Sequence, residues 1–110
     1  MKDIKSIECI INNHALIINI GEKIQIEYEN RLGIISKEKI FEYLRNLFCI
    51  IDSWDEEYID TKMIDNSKWE LTIIHSNGIK INYHGKSNYP NNFEAFERLN
   101  QRLIEEVYNG

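Results

Sequence analysis

Three histidines, two cysteines and a dense run of carboxylates are the side chains of this 110-residue chain best equipped for chemistry. His75 and His84 flank one turn signal, Ser76-Asn77-Gly78, a spacing that invites a metal site or a general base. A shared zinc ion needs both imidazoles on one side of that hairpin. The register argued below sends them to opposite faces, so no metal site is expected. Nucleophilic catalysis needs a Ser or Cys held by a base that is itself held by a third group. The chain has no Gly-x-Ser-x-Gly, and Cys9 and Cys49 both sit inside apolar segments. They read as buried free thiols, not as a disulfide or a metal-ligand pair. Glycines 21, 33, 78 and 85 are isolated and make no phosphate-cradling loop. No catalytic residue and no cofactor is expected from these patterns.

The carboxylates carry more. The segment DSWDEEYID holds Asp52, Asp55, Glu56, Glu57 and Asp60 with Trp54 and Tyr58 interleaved and no basic residue. With those five removed from the 18 acidic residues, the rest of the chain balances its 13 basic ones. Rigid aromatics beside unneutralised carboxylates suit recognition of a basic protein partner, whose Arg and Lys they would steer and pair. Trp54, Asp55, Glu56, Glu57, Tyr58 and Asp60 are therefore the expected partner-binding residues. The plainer alternative is a solvated connector whose Trp and Tyr tuck into the core. A second polar patch, with His84, Lys86 and Asn88, precedes the only proline and is a minor candidate for binding a small ligand.

Bulk properties limit the classes. An apolar share of 43% and a charged share of 28% belong to a globular domain, and 110 residues fit one. Net charge is −5 with no basic stripe, which argues against direct nucleic-acid binding. No apolar run approaches the roughly 20 residues of a membrane span. The start, MKDIKSIE, is a poor signal peptide, so a cytoplasmic location is expected.

Periodicity places these residues on elements. ALIINI (15–20) and KIQIEYE (23–29) are strand-like, the second alternating Ile24, Ile26 and Tyr28 with Gln25, Glu27 and Glu29. From Ser36, a plausible N-cap, the period changes. Ile40, Leu44, Leu47, Phe48 and Ile51 form a helical stripe. KWELTII and IKINYH then repeat the hairpin, and Phe96, Leu99, Leu103 and Val107 mark a second helix from Phe93 to Tyr108. Shifting the chain by half its length matches Leu16 with Leu71, Ile18 with Ile73, Tyr28 with Tyr83 and Phe41 with Phe96. Segments 4–11 and 59–65 also correspond. The expected fold is α+β and two-layer: an antiparallel sheet of about five or six strands with two helices on one face. It forms a single domain with pseudo-repeat halves 1–55 and 56–110, open to reading as a duplicated βββα unit.

Register is the sharper expectation. A two-residue Asn77-Gly78 turn would set Leu71 and Ile73 opposite polar residues. A three-residue loop with Gly78 left-handed pairs Ile73 with Ile81 and Leu71 with Tyr83, and the loop 21–23 likewise pairs Ile18 with Ile26 and Leu16 with Tyr28. Asn91 is the expected cap of the second helix, with Glu94 completing a capping box.

Trp69, Tyr83, Gly85, Tyr89, Pro90, Asn92, Phe93 and Phe96 form a pattern of hairpin, aromatic-x-Gly, Tyr-Pro and aromatic-led helix. Over residues 69 to 105 it resembles small uncharacterised proteins of low-GC Gram-positive bacteria and their mobile elements. The resemblance implies a ββα element and brings no activity. The functional expectation is a non-enzymatic protein-interaction module. Its sharpest form is an immunity or inhibitor-type protein, because proteins that neutralise basic nucleic-acid enzymes share this acidic character. The alternatives are a structural homodimer, and a small enzyme or ligand-binding protein using the 84–92 loop.

Overall fold

A computed structural model describes residues 3–62 and 67–108. β1 (Ile4–Ile11), β2 (His14–Ile20), β3 (Ile24–Tyr28) and β4 (Arg31–Ile34) precede α1 (Lys37–Ile51). β5 (Glu57–Ile59), β6 (Lys68–His75) and β7 (Lys80–Lys86) precede α2 (Phe93–Tyr108). The strands form one sheet in the order β4-β3-β2-β1-β6-β7-β5, antiparallel throughout except that β5 lies parallel to β7. The class is α+β, with seven strands among the described residues rather than five or six.

The two additional edge strands have identifiable causes. RLGI reads as connector in the sequence, yet Glu29 and Asn30 both adopt left-handed backbone (φ 52° and 64°) and fold it back onto β3. This is the two-residue turn whose twist suits a hairpin. The segment expected as a strand at 59–65 contributes only Ile59 to β5, and residues 63–65 lie outside the described residues. In the first half, β1 pairs with the first hairpin strand, β2; the matching place beside β6 is occupied by β1 itself. The second half therefore docks its first strand on the far side of β7 instead. Among the described residues the layout is four strands and a helix, then three strands and a helix.

Both three-residue loops form as expected. Ile18 pairs with Ile26 and Leu16 with Tyr28; Ile73 pairs with Ile81 and Leu71 with Tyr83; Gly78 has φ 92°. Rows of core-facing residues then run across the sheet. Ile26, Ile18, Ile7, Ile73 and Ile81 make one, and Tyr28, Leu16, Cys9, Leu71 and Tyr83 the next. These rows join Ile40, Leu44 and Leu47 of α1 and Phe96, Leu99 and Leu103 of α2 in one core. Equivalence of the halves is incomplete in the helices: Phe41 is 41% exposed where its counterpart Phe96 is fully buried.

Ser36 caps α1, its side chain accepting from Lys39 N–H. Asn91 makes no such contact at α2. There the Pro90 carbonyl accepts from Phe93 N–H at 3.1 Å, and Asn92 is drawn into tertiary bonds described below. No helix among the described residues is long and apolar enough to cross a membrane.

Within the core, β1, α1 and α2 meet in a small polar contact. Tyr43 donates to Asn100 Oδ1 at 2.6 Å, and the Cys9 thiol lies against both. Burial pushes the Cys9 thiol up to about 12 from 9.0, and raises Tyr43 well above its usual 10.0. Below pH 9 the Cys9 thiol is protonated whether the chain is folded or not. Between pH 9 and about 12 the unfolded chain releases that proton and the folded chain keeps it, so stability falls as pH rises. The slope from this group reaches about 1.4 kcal/mol per pH unit, and Tyr43 adds to it above about pH 10. Urea unfolding measured from neutral pH upward should show this fall beginning near pH 9, and Cys9→Ser should flatten the part below about pH 10. Equal slopes in the two proteins would contradict the assignment.

Candidate functional site

The acidic segment joins α1 to the edge strand β5, and its aromatic residues decide its shape. Trp54, expected among the partner-binding residues with a core-packed indole as the alternative, is buried: only 8% of it is exposed. Its backbone N–H donates to the Ile51 carbonyl at 3.0 Å and so turns the chain directly off the helix end. The indole stands edge-on to Trp69, Tyr83 and Phe96 with centroids 5.3–5.8 Å apart, and stacks on Phe93 at 6.0 Å. These are the separations at which aromatic pairs attract beyond simple area burial.

Asn92 completes the attachment. Its Oδ1 accepts from Trp54 Nε1 at 2.6 Å, while its Nδ2 donates to the Ile50 carbonyl at 2.8 Å. One amide thus satisfies a buried indole and a carbonyl in the last turn of α1. Trp69 is placed by a close approach. Its register partner is Gly85, and a methyl group there would collide with the indole and with the Asn88 carbonyl that accepts from Trp69 Nε1 at 2.9 Å. The residues Trp69, Gly85, Tyr89, Asn92, Phe93 and Phe96, recognisable as a pattern in the sequence, all belong to this contact set.

Held in this way, the segment turns its charges outward. Asp52, Asp55, Glu56 and Glu57 are exposed, and Asp60 is half-buried with Oδ1 accepting from Lys62 N–H. Tyr58 is half-buried against Trp69, and its hydroxyl accepts from Asp55 N–H at 2.9 Å, closing the loop on itself. Glu57 reaches His84 at 3.2 Å. Asp52, Asp55 and Glu56 have no Lys or Arg within ion-pairing reach among the described residues. Burial raises the Tyr83 hydroxyl above its usual pKa, and the nearby Glu56 and Asp52 charges add to that. The local field around Asp52, Asp55 and Glu56 is negative and has no Lys or Arg counter-ion among the described residues.

The second group of candidates divides. His84 and Lys86 lie on the sheet face away from the core, whereas Asn88 lies beyond the end of β7, exposed, with its side chain accepting from Tyr89 N–H. Further along the 84–92 loop, Tyr89 donates to Ser67 Oγ at 2.6 Å. His75 and His84 do not meet, and among the described residues no three His, Cys, Asp or Glu side chains converge on a metal-sized site. Cys9 is buried as expected, but Cys49 is exposed on α1.

A cleft of about 440 Å³ also lies between α2 and β1–β3, walled by Ile11, Leu16, Tyr28 and Ile104. At its rim Glu94 is paired with Arg98, and His14 with Glu29 of the neighbouring turn. Cys9 contributes to its lining, but burial keeps that thiol neutral. The cleft offers apolar volume without an activated nucleophile.

No protein-family model, curated protein or solved structure matches the chain.

The two kinds of residue in the acidic segment should separate in unfolding measurements. Trp54→Ala removes a buried indole and should cost about 3–5 kcal/mol. Asp55→Asn and Glu56→Gln should stay within about 0.5 kcal/mol of the parent. A Trp54→Ala protein with unchanged stability would show that the indole is not part of the core.

Proposed function

We propose that the chain is a two-layer protein-binding module, both helices covering one sheet face, that grips a basic partner through the acidic segment. The observation carrying this reading is the placement of Asp52, Asp55 and Glu56: exposed, lacking a cationic partner, and fixed to the core through Trp54 and Asn92. Like charges crowded together repel, and a partner's Arg or Lys would relieve that repulsion. A pre-shaped loop also loses little conformational freedom on binding. In its sharpest form the module is an inhibitor or immunity-type protein that neutralises a basic nucleic-acid enzyme by covering its cationic surface. β5 adds a main-chain element to the same region, because no strand pairs with its outer edge among the described residues.

The test is capture from the native host with the wild-type chain and with Asp55→Lys/Glu56→Lys. The wild type should retain a basic protein that is released by raised salt, and the double variant should lose it while unfolding at the same temperature. Equal capture by both proteins would refute the acidic surface.

A second reading, a homodimer, is favoured by the opposite edge. β4 has an unpaired outer side among the described residues and carries Leu32 at 75% and Ile34 at 69% exposure. Exposed apolar edge strands invite pairing. Light scattering at high concentration should then report a dimer that Ile34→Lys splits; a wild-type monomer would remove this reading.

A further inference from the structure

On the sheet face away from the core, β6 and β7 carry two lysines in an unfavourable position. Lys68 and Lys86 are direct register partners, both exposed, and flank the core-facing pair Trp69–Gly85. Like charges directly opposite one another across a sheet are destabilising. Neither lysine has a carboxylate within ion-pairing reach among the described residues, in a chain whose acidic groups outnumber its basic ones by five. Two uncompensated ammonium groups side by side match an anion with several oxygen acceptors.

Both lysines line a pocket of about 460 Å³ together with Asn12, Asn13, Glu70 and His84. That volume suits a small organic ligand. Its rim is built, not incidental. Asn12 and Asn13 form the left-handed β1–β2 turn (φ 48° and 72°), and Asn12 ties that turn to β6 in both directions. Its N–H donates to the Lys68 carbonyl at 2.9 Å, and its Oδ1 accepts from Lys68 N–H at 3.1 Å. Asn13, exposed in that turn, also lines the pocket. His84 is held in place by Asn82 Oδ1 at 2.8 Å and by Glu57. Glu70, its register partner on β6, is the carboxylate of the pocket and an acceptor for a ligand hydroxyl.

We propose that this pocket binds a small phosphomonoester bearing hydroxyl groups, the phosphate between Lys68 and Lys86 and a hydroxyl on Glu70. Asp52, Asp55 and Glu56 do not line this pocket, and the acidic segment reaches it through Glu57 on His84.

The experiment is a titration of the ¹⁵N-labelled chain with glycerol phosphate, followed by amide and imidazole shifts, with glycerol and acetate as controls. Saturable shifts should concentrate at Asn12, Asn13, Lys68, His84 and Lys86, and neither control should reproduce them. Lys68→Gln and Lys86→Gln should each weaken binding by about tenfold, the loss of one charge-assisted contact. Their thermal midpoints should hold or rise, because each relieves the like-charge pair. Non-saturating shifts spread over surface lysines, or binding unaffected by both substitutions, would overturn the proposal. So would a thermal midpoint several degrees lower in either variant, which would mark the lysines as structural.

Discussion

The bare backbone at Gly85 is the constraint on which one end of this molecule depends. Because no side chain stands there, the Trp69 indole crosses over β7 and gives its N–H to the Asn88 carbonyl. Trp69 in turn offers the ring surface against which Trp54, Tyr58 and Phe93 pack. The end of α1, the acidic segment, β5 and the start of α2 all converge on that surface. A polar amide, Asn92, closes the arrangement by serving Trp54 and α1 together. Aromatic burial of this kind stabilises by several kcal/mol per ring. It offsets the repulsion among carboxylates that the same loop pushes into solvent.

The consequence is a division of labour within nine residues. Trp54 and, in part, Tyr58 hold the segment from beneath; Asp52, Asp55 and Glu56 look outward. Rigid presentation suits a binding surface better than a flexible acidic linker would, since little ordering remains to be done at the moment of contact. On the sheet face away from the core, the Lys68–Lys86 pair sets two positive charges side by side. The molecule is acidic in sum yet patterned in detail.

The sequence showed clearly what strict alternation determines. The two hairpin registers followed from the need to keep Leu71 and Ile73 opposite Ile81 and Tyr83, because a one-residue slip reverses every side chain. Both helices were legible from their stripes. β4 was not, because its turn uses Glu29 and Asn30 in a left-handed conformation that Glu rarely adopts, and no glycine announces it. The strand expected within 59–65 lies instead at Glu57–Ile59. Its place beside β7 is a tertiary choice that alternation does not encode, β1 having filled the place beside β6. For the site, the carboxylates were legible from composition, but burial of Trp54 was not, since an aromatic between acids suits either side of a surface. Asn92 stood out only as one member of a pattern, without its tertiary role, and Lys68 went unnoticed. Asn92 sits beside the expected cap, and Lys68 matters only through a partner 18 positions away in the chain.

The central claim is that the acidic segment is held rigidly by the aromatic core beneath it. Native-state hydrogen exchange tests this most directly, because three amides in the segment have defined partners: Trp54 with the Ile51 carbonyl, Asp55 with the Tyr58 hydroxyl, and Asp60 with the Lys86 carbonyl. If the claim holds, these amides exchange about a hundredfold or more slower than in an unstructured peptide. Exchange of all three at the free-peptide rate, with the β6 amides still protected, would contradict it.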